Sequence, residues 1–175
     1  MPNRPQDYAQ TGSGPAYASI AASSAHTNTT TDANLDSFTI PADALKAGDV
    51  IEIEAQGIAT ATNANDTLTV ILTVGGVTIA STGAVDVADN DIWHFKATVQ
   101  VRTHGASGTI VGCGTVALGV EATVTAKPFK KASTSFDTTA ACVVAINADW
   151  SAASASDSCR NDVLVVKVLR PATFD

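Results

Sequence analysis

Residues 40–57 read IPADALKAGDVIEIEAQG. The run opens on a turn led by Pro41, passes through one short helical turn and stops at Gly48-Asp49. Beyond it, Ile51, Ile53 and Ala55 fall on one side of an extended chain, and Glu52, Glu54 and Gln56 fall on the other. Strand side chains alternate with a period of two, so this stretch specifies a sheet with one dry face and one wet face.

The same logic extends in both directions. A short strand at 35–40 ends at Pro41, and the strand at 49–60 follows. An apolar run at 67–74 meets Gly75-Gly76 and returns at 77–81. Two adjacent glycines supply the positive φ that a two-residue hairpin turn demands. At 92–103, Trp93, Phe95, Ala97, Val99 and Val101 alternate with His94, Lys96, Thr98, Gln100 and Arg102. A slip of one residue there would bury the charges, so the pairing is strongly specified.

Further strands fall at 109–118, where Gly112 and Gly114 suggest a bend or bulge, at 120–126, at 138–150 and at 162–170. Pro171 stops the last. Turn signals separate these runs, and no helical period lasts beyond one turn. The spacing predicts an all-β antiparallel sandwich or barrel, and the want of crossover helices excludes a parallel βαβ fold.

Composition agrees. The chain has 175 residues, is 45% hydrophobic but only 5% aromatic, and carries a net charge of −7. That charge disfavours a nucleic-acid partner, since phosphate backbones call for clustered Lys and Arg. The one basic cluster, Lys127-Pro128-Phe129-Lys130-Lys131, reads as an exposed loop. No apolar stretch is long enough for a membrane-spanning helix. The first residues, MPNRP, lack the apolar region of a signal peptide, so synthesis in a cytosol is expected. Cys113, Cys142 and Cys159 show no paired spacing; all three are expected to be reduced, with Cys113 and Cys142 buried.

Residues 1–32 differ from the remainder. Pro2, Pro5 and Pro15, the run Gly12-Ser13-Gly14 and a polar stretch from His26 to Thr31 flank a weak strand at 16–25. This segment reads as an extended arm with a possible edge strand, either a loose terminus or a piece that orders against a partner. Residues 33–175 form the sandwich domain. Pro2, Arg4, Pro5, Tyr8 and Tyr17 are the arm's candidate partner-binding residues. Trp150, beside Asp149 and a Ser-rich loop, joins them.

Chemistry is hard to find. His26, His94 and His104 lack a recognisable nucleophile and orienting partner. Glu52 and Glu54 face outward together, whereas a glycosidase pair needs one carboxyl in a pKa-raising site. The scattered Cys and His have no zinc-ligand spacing. Residues 86–91 (DVADND) could offer oxygens to Ca²⁺ but lack the glycine and distal Glu of an EF-hand, and read as a solvated loop. Trp93 is in phase with the core. No catalytic residue, cofactor or metal is expected.

Four stretches in order, IPADALKAGDVIEIEAQG (40–57), LTVILTVGGVTIASTGAV (68–85), WHFKATVQVRTHGASGTIVGCGTV (93–116) and DTTAACVVAINADWSAASASDS (137–158), resemble jelly-roll domains of tailed-bacteriophage head-decoration, head-fibre and tail-fibre proteins. The likeness runs over residues 35–170 and rests on order and spacing. It implies a jelly-roll-like sandwich and a virion structural protein, commonly trimeric, bound to the major capsid protein or another virion protein. A domain nearly alone behind a 32-residue arm points within that group to a capsid decoration or head-spike protein. A tail-fibre module that binds a host-surface glycan is the alternative.

Overall fold

The computed structural model describes residues 13–62, 65–120 and 122–170. Its strands are β1 (Ser13–Ala18), β2 (His26–Thr27), β3 (Ala33–Ile40), β4 (Val50–Thr60), β5 (Thr67–Val74), β6 (Val77–Ser81), β7 (Val85–Asp86), β8 (Asp91–Thr103), β9 (Thr109–Gly119), β10 (Lys127–Ser135), β11 (Cys142–Trp150) and β12 (Ser158–Leu169). No helix occurs among the described residues.

All pairing is antiparallel and forms two sheets. One runs β1-β12-β4-β8-β9-β10, with β2 also on β12; the other runs β3-β11-β5-β6, with β7 on β5. Set aside the short β2 and β7 and the β9–β10 hairpin, and eight strands remain. Numbered along the chain, they order as 1-8-3-6 in one sheet and 2-7-4-5 in the other. That is the strand order of a jelly roll, an open sandwich that the β9–β10 hairpin widens at one edge.

The core follows the alternation read from sequence. Ile51, Ile53, Ala55 and Ala59 of β4 are buried, as are Trp93, Phe95, Ala97, Val99 and Val101 of β8. Leu68, Val70, Leu72 and Val74 of β5 and Val144, Ile146 and Ala148 of β11 meet them from the other sheet. On β12 the buried set changes phase, from Cys159 and Asn161 to Leu164, Val166 and Val168. The register shift between Asn161 and Val163 accounts for the change, because one extra residue flips every side chain beyond it. At the β5–β6 hairpin, Gly75 and Gly76 have φ of 56° and 77°, the pair of positive values the tight turn needs.

Several expectations give way. The short helical turn at 41–48 does not form. Asp43 sits at φ 59°, outside the right-handed helical region, and the segment is held by turns, with Ala44 N–H on the Pro41 carbonyl and Asp49 N–H on that of Lys46. The basic cluster is no loop: it lies on β10, paired to β9 from Lys127 to Ser135. Lys and Pro on an outermost strand blunt it against stray pairing, so composition and strand character do not conflict. The expected strand at 120–126 does not form over its described residues 122–126; the Thr123 and Val124 amides turn back onto the Val120 carbonyl. Pairing of β9 to β8 runs through Gly112 and Gly114 without a bulge. Cys113 faces outward and is exposed.

The arm also changes extent. The weak strand lies at Ser13–Ala18, and it is the first strand of the jelly roll, paired to β12. Ser19 and Ser23 then bond the backbone of β12 at Leu164 and Asn161. A boundary at residue 32 therefore cuts through hydrogen-bonded sheet; residues 1–12 lie outside the described residues.

Gly57 tests the central packing. It pairs with Trp93 on one side and Asn161 on the other, and a Cβ there would fall 1.9 Å from the Arg160 carbonyl oxygen and 2.4 Å from the Trp93 ring. Gly57→Ala is expected to cost about 3 kcal/mol of unfolding free energy, the upper range for overpacking. Gln56→Ala, on the wet face next door, is expected to stay within about 0.5 kcal/mol. Equal denaturant midpoints for the two variants would disprove this packing.

Candidate functional site

Pro2, Arg4, Pro5 and Tyr8 fall outside the described residues. Tyr17 is part of the packing: its ring stacks on Phe38 of the other sheet, centroids 5.1 Å apart and planes 13° apart, and its hydroxyl makes a long 3.5 Å hydrogen bond to Asp36 Oδ1. Burial, then the charge and hydrogen bond of Asp36, hold that hydroxyl above its ordinary value. Tyr17 thus closes the seam between the sheets. Trp150 is corrected outright. It is 1% exposed, because it ends the inward row of Cys142, Val144, Ile146 and Ala148 on β11. The two indoles expected to differ, Trp93 and Trp150, are both core.

The outer face of the larger sheet is a charged lattice. Lys167, Glu52, Thr98, Cys113 and Lys130 form one row across five strands, with Glu54 beside Lys96 in the next. Glu54 stands 4.0 Å from His94, and His104 stands 4.0 Å from Asp43 and 3.2 Å from Lys46 Nζ. Among the described residues, the side-chain partners of His94 and His104 are Glu54, Asp43 and Lys46, none of them a hydroxyl or thiol. Toward the β10 edge, Arg102, Lys130 and Lys131 line an open groove of about 540 Å³ with Cys113.

The end of the sandwich where β4, β9 and β11 finish and β5, β8 and β12 begin is different. Residues 61–62, 65–66, 86–91 and 151–157 meet there. The 86–91 loop is built on its own acids: Asp91, 2% exposed, accepts the Ala88 amide at 2.9 Å, and the Asn90 amide donates to Thr60 Oγ1 at 3.2 Å. A groove of about 490 Å³ runs beside it, lined by Asp86, Asp89, Asp91, Thr62 and Val120. The neighbouring loops are tied by two 2.9 Å bonds, from the Thr67 amide to Ser151 Oγ and from the Ser151 amide to the Thr67 carbonyl.

Buried polar groups concentrate at this end. Among the described residues, His26 Nε2, Asp91 Oδ1, Trp93 Nε1, Trp150 Nε1, Asp157 Oδ2 and Asn161 Oδ1 are buried with no nitrogen or oxygen partner. For Trp93 the soft sulfur of Cys159 is the acceptor at hand. Asn161 spends its amide on Asp36 Oδ2 at 2.9 Å, which bridges the two sheets. Sequence reading missed this cluster; the one available signal was the phase of Trp150.

What the cluster can do chemically is limited. Among the described residues, no three His, Cys, Asp or Glu side chains converge as a metal cage. Burial pushes the Cys142 and Cys159 thiols up to about 12, so neither supplies a thiolate near neutral pH. No protein-family model matches the chain, and no curated protein is similar to it.

The thiols give a direct check on burial. Under native conditions near neutral pH, one thiol, Cys113, is expected to react rapidly with a disulfide reagent, and Cys142 and Cys159 only after unfolding. Two or three fast thiols in the native protein would contradict the buried positions.

Proposed function

We propose that the protein is a virion structural protein, a capsid decoration or head-spike protein of a tailed bacteriophage, attached through residues 1–12. The resemblance of the four ordered stretches supplies the class. One structural observation supports the mode of attachment. Ser13 pairs with Leu169, at the finish of β12, whereas Ser158, at its start, pairs with Thr60 beside the loop cluster. Whatever precedes Ser13 thus joins the domain at the end opposite the loops. Such a polarity suits a part held at one end and displayed at the other.

In this reading the partner is the major capsid protein or another virion protein, the assembled form is a homotrimer and the location is the virion. The domain itself performs no reaction. Residues that present surface are the charged lattice and the loops; among the described residues the aromatic side chains are used for packing. The glycan-binding alternative has no exposed tryptophan on which a sugar ring could stack, since both are buried, and the groove beside residues 86–91 is what remains to it.

The test is a pair of truncations. Deleting residues 1–12 is expected to leave the melting temperature within about 2 °C of the full chain, since no described contact is removed, and to abolish occupancy on particles. Deleting residues 1–32 also removes β1 and is expected to destabilise the domain itself. Full occupancy by the shorter-armed, folded protein would sink the reading.

A further inference from the structure

Half of the chain's 10 Lys and Arg fall on three adjacent strands, β8, β9 and β10: Lys96, Arg102, Lys127, Lys130 and Lys131. The single acid on these strands, Asp91, is buried. In a chain of net charge −7, this side of the larger sheet is a basic strip. Other cations are matched. Arg160 meets Asp162 and Arg170 meets Asp49, each at 2.8 Å. Lys96 and Lys167 stand opposite Glu54 and Glu52 in the strand register. Among the described residues, Arg102, Lys130 and Lys131 have no carboxylate within ion-pair distance.

These three unmatched cations line the groove of about 540 Å³ at the β10 edge, and no acid lines it with them. The β9–β10 register shifts between Lys131 and Thr134, and Ala132 and Ser133, within that irregularity, line the groove too. Lys130 is level with Cys113 on β9 and Thr98 on β8. Arg102 lies further along β8, about 13 Å from Thr98 at the rise of a strand. That separation suits two acidic side chains on an extended segment better than one compact anion. Nucleic acid is a poor match, since it carries charge at every nucleotide and Glu52 and Glu54 on adjoining β4 repel its continuation across the sheet. Nor does a second copy offer the segment at its loop end. The exposed Asp86 and Asp89 belong to a loop tied down through Thr60 and Asp91.

We propose that this groove is a docking site for an acidic, extended segment of a partner protein, whose carboxylates pair with Arg102, Lys130 and Lys131 across Cys113. Three exposed pairs acting together give a weak, salt-sensitive contact whose value lies in selecting and orienting the partner. The groove belongs to the domain itself, apart from residues 1–12, so its occupancy is measurable without a particle.

The probe is a fluorescein-labelled Glu/Gly decapeptide with glutamates four residues apart, added to the full chain at low ionic strength. Anisotropy is expected to report binding that disappears in about 0.5 M salt, where surface charges are screened. Lys130→Glu is expected to weaken it about fivefold or more, and Lys127→Glu, on the same strand but outside the groove, less than about twofold. Arg102→Gln is the second groove variant should the first not fold. Cys113 supplies the local readout: saturating peptide is expected to slow its reaction with an uncharged disulfide reagent about fivefold, by blocking access. Absence of binding, equal weakening by the Lys127 and Lys130 variants, or an unslowed Cys113 overturns the site. Equal protection of Cys113 by millimolar inorganic phosphate or by duplex DNA overturns the peptide as its occupant. Protection that rises with protein concentration alone does so too, since a second copy would then fill the groove.

Discussion

Strand β4 stands between β12 and β8, and its alternation constrains the rest of the fold. Ile51, Ile53 and Ala55 face inward while Glu52 and Glu54 face water. Shifting β4 by one residue would place two carboxylates in the core and three apolar side chains outside, at a cost of several kcal/mol. Both neighbours are therefore fixed in register over nearly its whole length. Through them the inward rows of β8 and β12 are aimed at β5 and β11. Gly57 completes the constraint, because only a residue without a Cβ lets the Trp93 ring lie across the strand.

The head of β4 is pinned by charge. Asp49 is 1% exposed and accepts from the Lys46 amide at 2.8 Å, from Arg170 Nε at 3.0 Å and from Arg170 Nη2 at 2.8 Å. Arg170 also reaches the Ala44 carbonyl at 2.7 Å. The hydrogen bond to Asp49, then its charge, holds the guanidinium above its ordinary value. The residue after β12 thus clamps the turn before β4, while the Gly48 amide and the Asp49 carbonyl exchange bonds with Val101. The Gly-Asp that ends the turn in sequence is a structural joint. Its carboxylate is satisfied, in contrast to Asp91 and Asp157 at the far end, each of which keeps one oxygen without a partner.

The legible part of the fold was the part governed by period two. Strands at 67–74 and 77–81, the Gly75-Gly76 turn and the dry face of β8 all follow from local pattern, and tertiary packing agrees with it. Misreadings arose where a local rule met a longer-range one. Trp150 was judged by its polar neighbours, although its phase with Ala148 and Ile146 placed it inside. Lys127 to Lys131 was judged by charge, although an edge strand favours such residues. The edge strand within the arm falls at 13–18 and not at 16–25, because Gly14 and Pro15 mask a start that β12 alone completes.

These features give the sandwich two unlike ends. At one, Asp49 and Arg170 are mutually satisfied and the chain enters at Ser13. At the other, the Trp150 indole N–H, Asp91, Asp157, His26 and Asn161 each keep a buried polar atom without a nitrogen or oxygen partner. A buried polar group without a partner costs about 1–3 kcal/mol, so local opening is cheapest where such groups collect. The loop end is consequently the part of the molecule most able to change state while the strands hold. Attachment near Ser13 would leave that end pointing away from the surface that anchors it. A tethered domain whose adjustable end is outermost can respond to its medium without loosening its own anchorage.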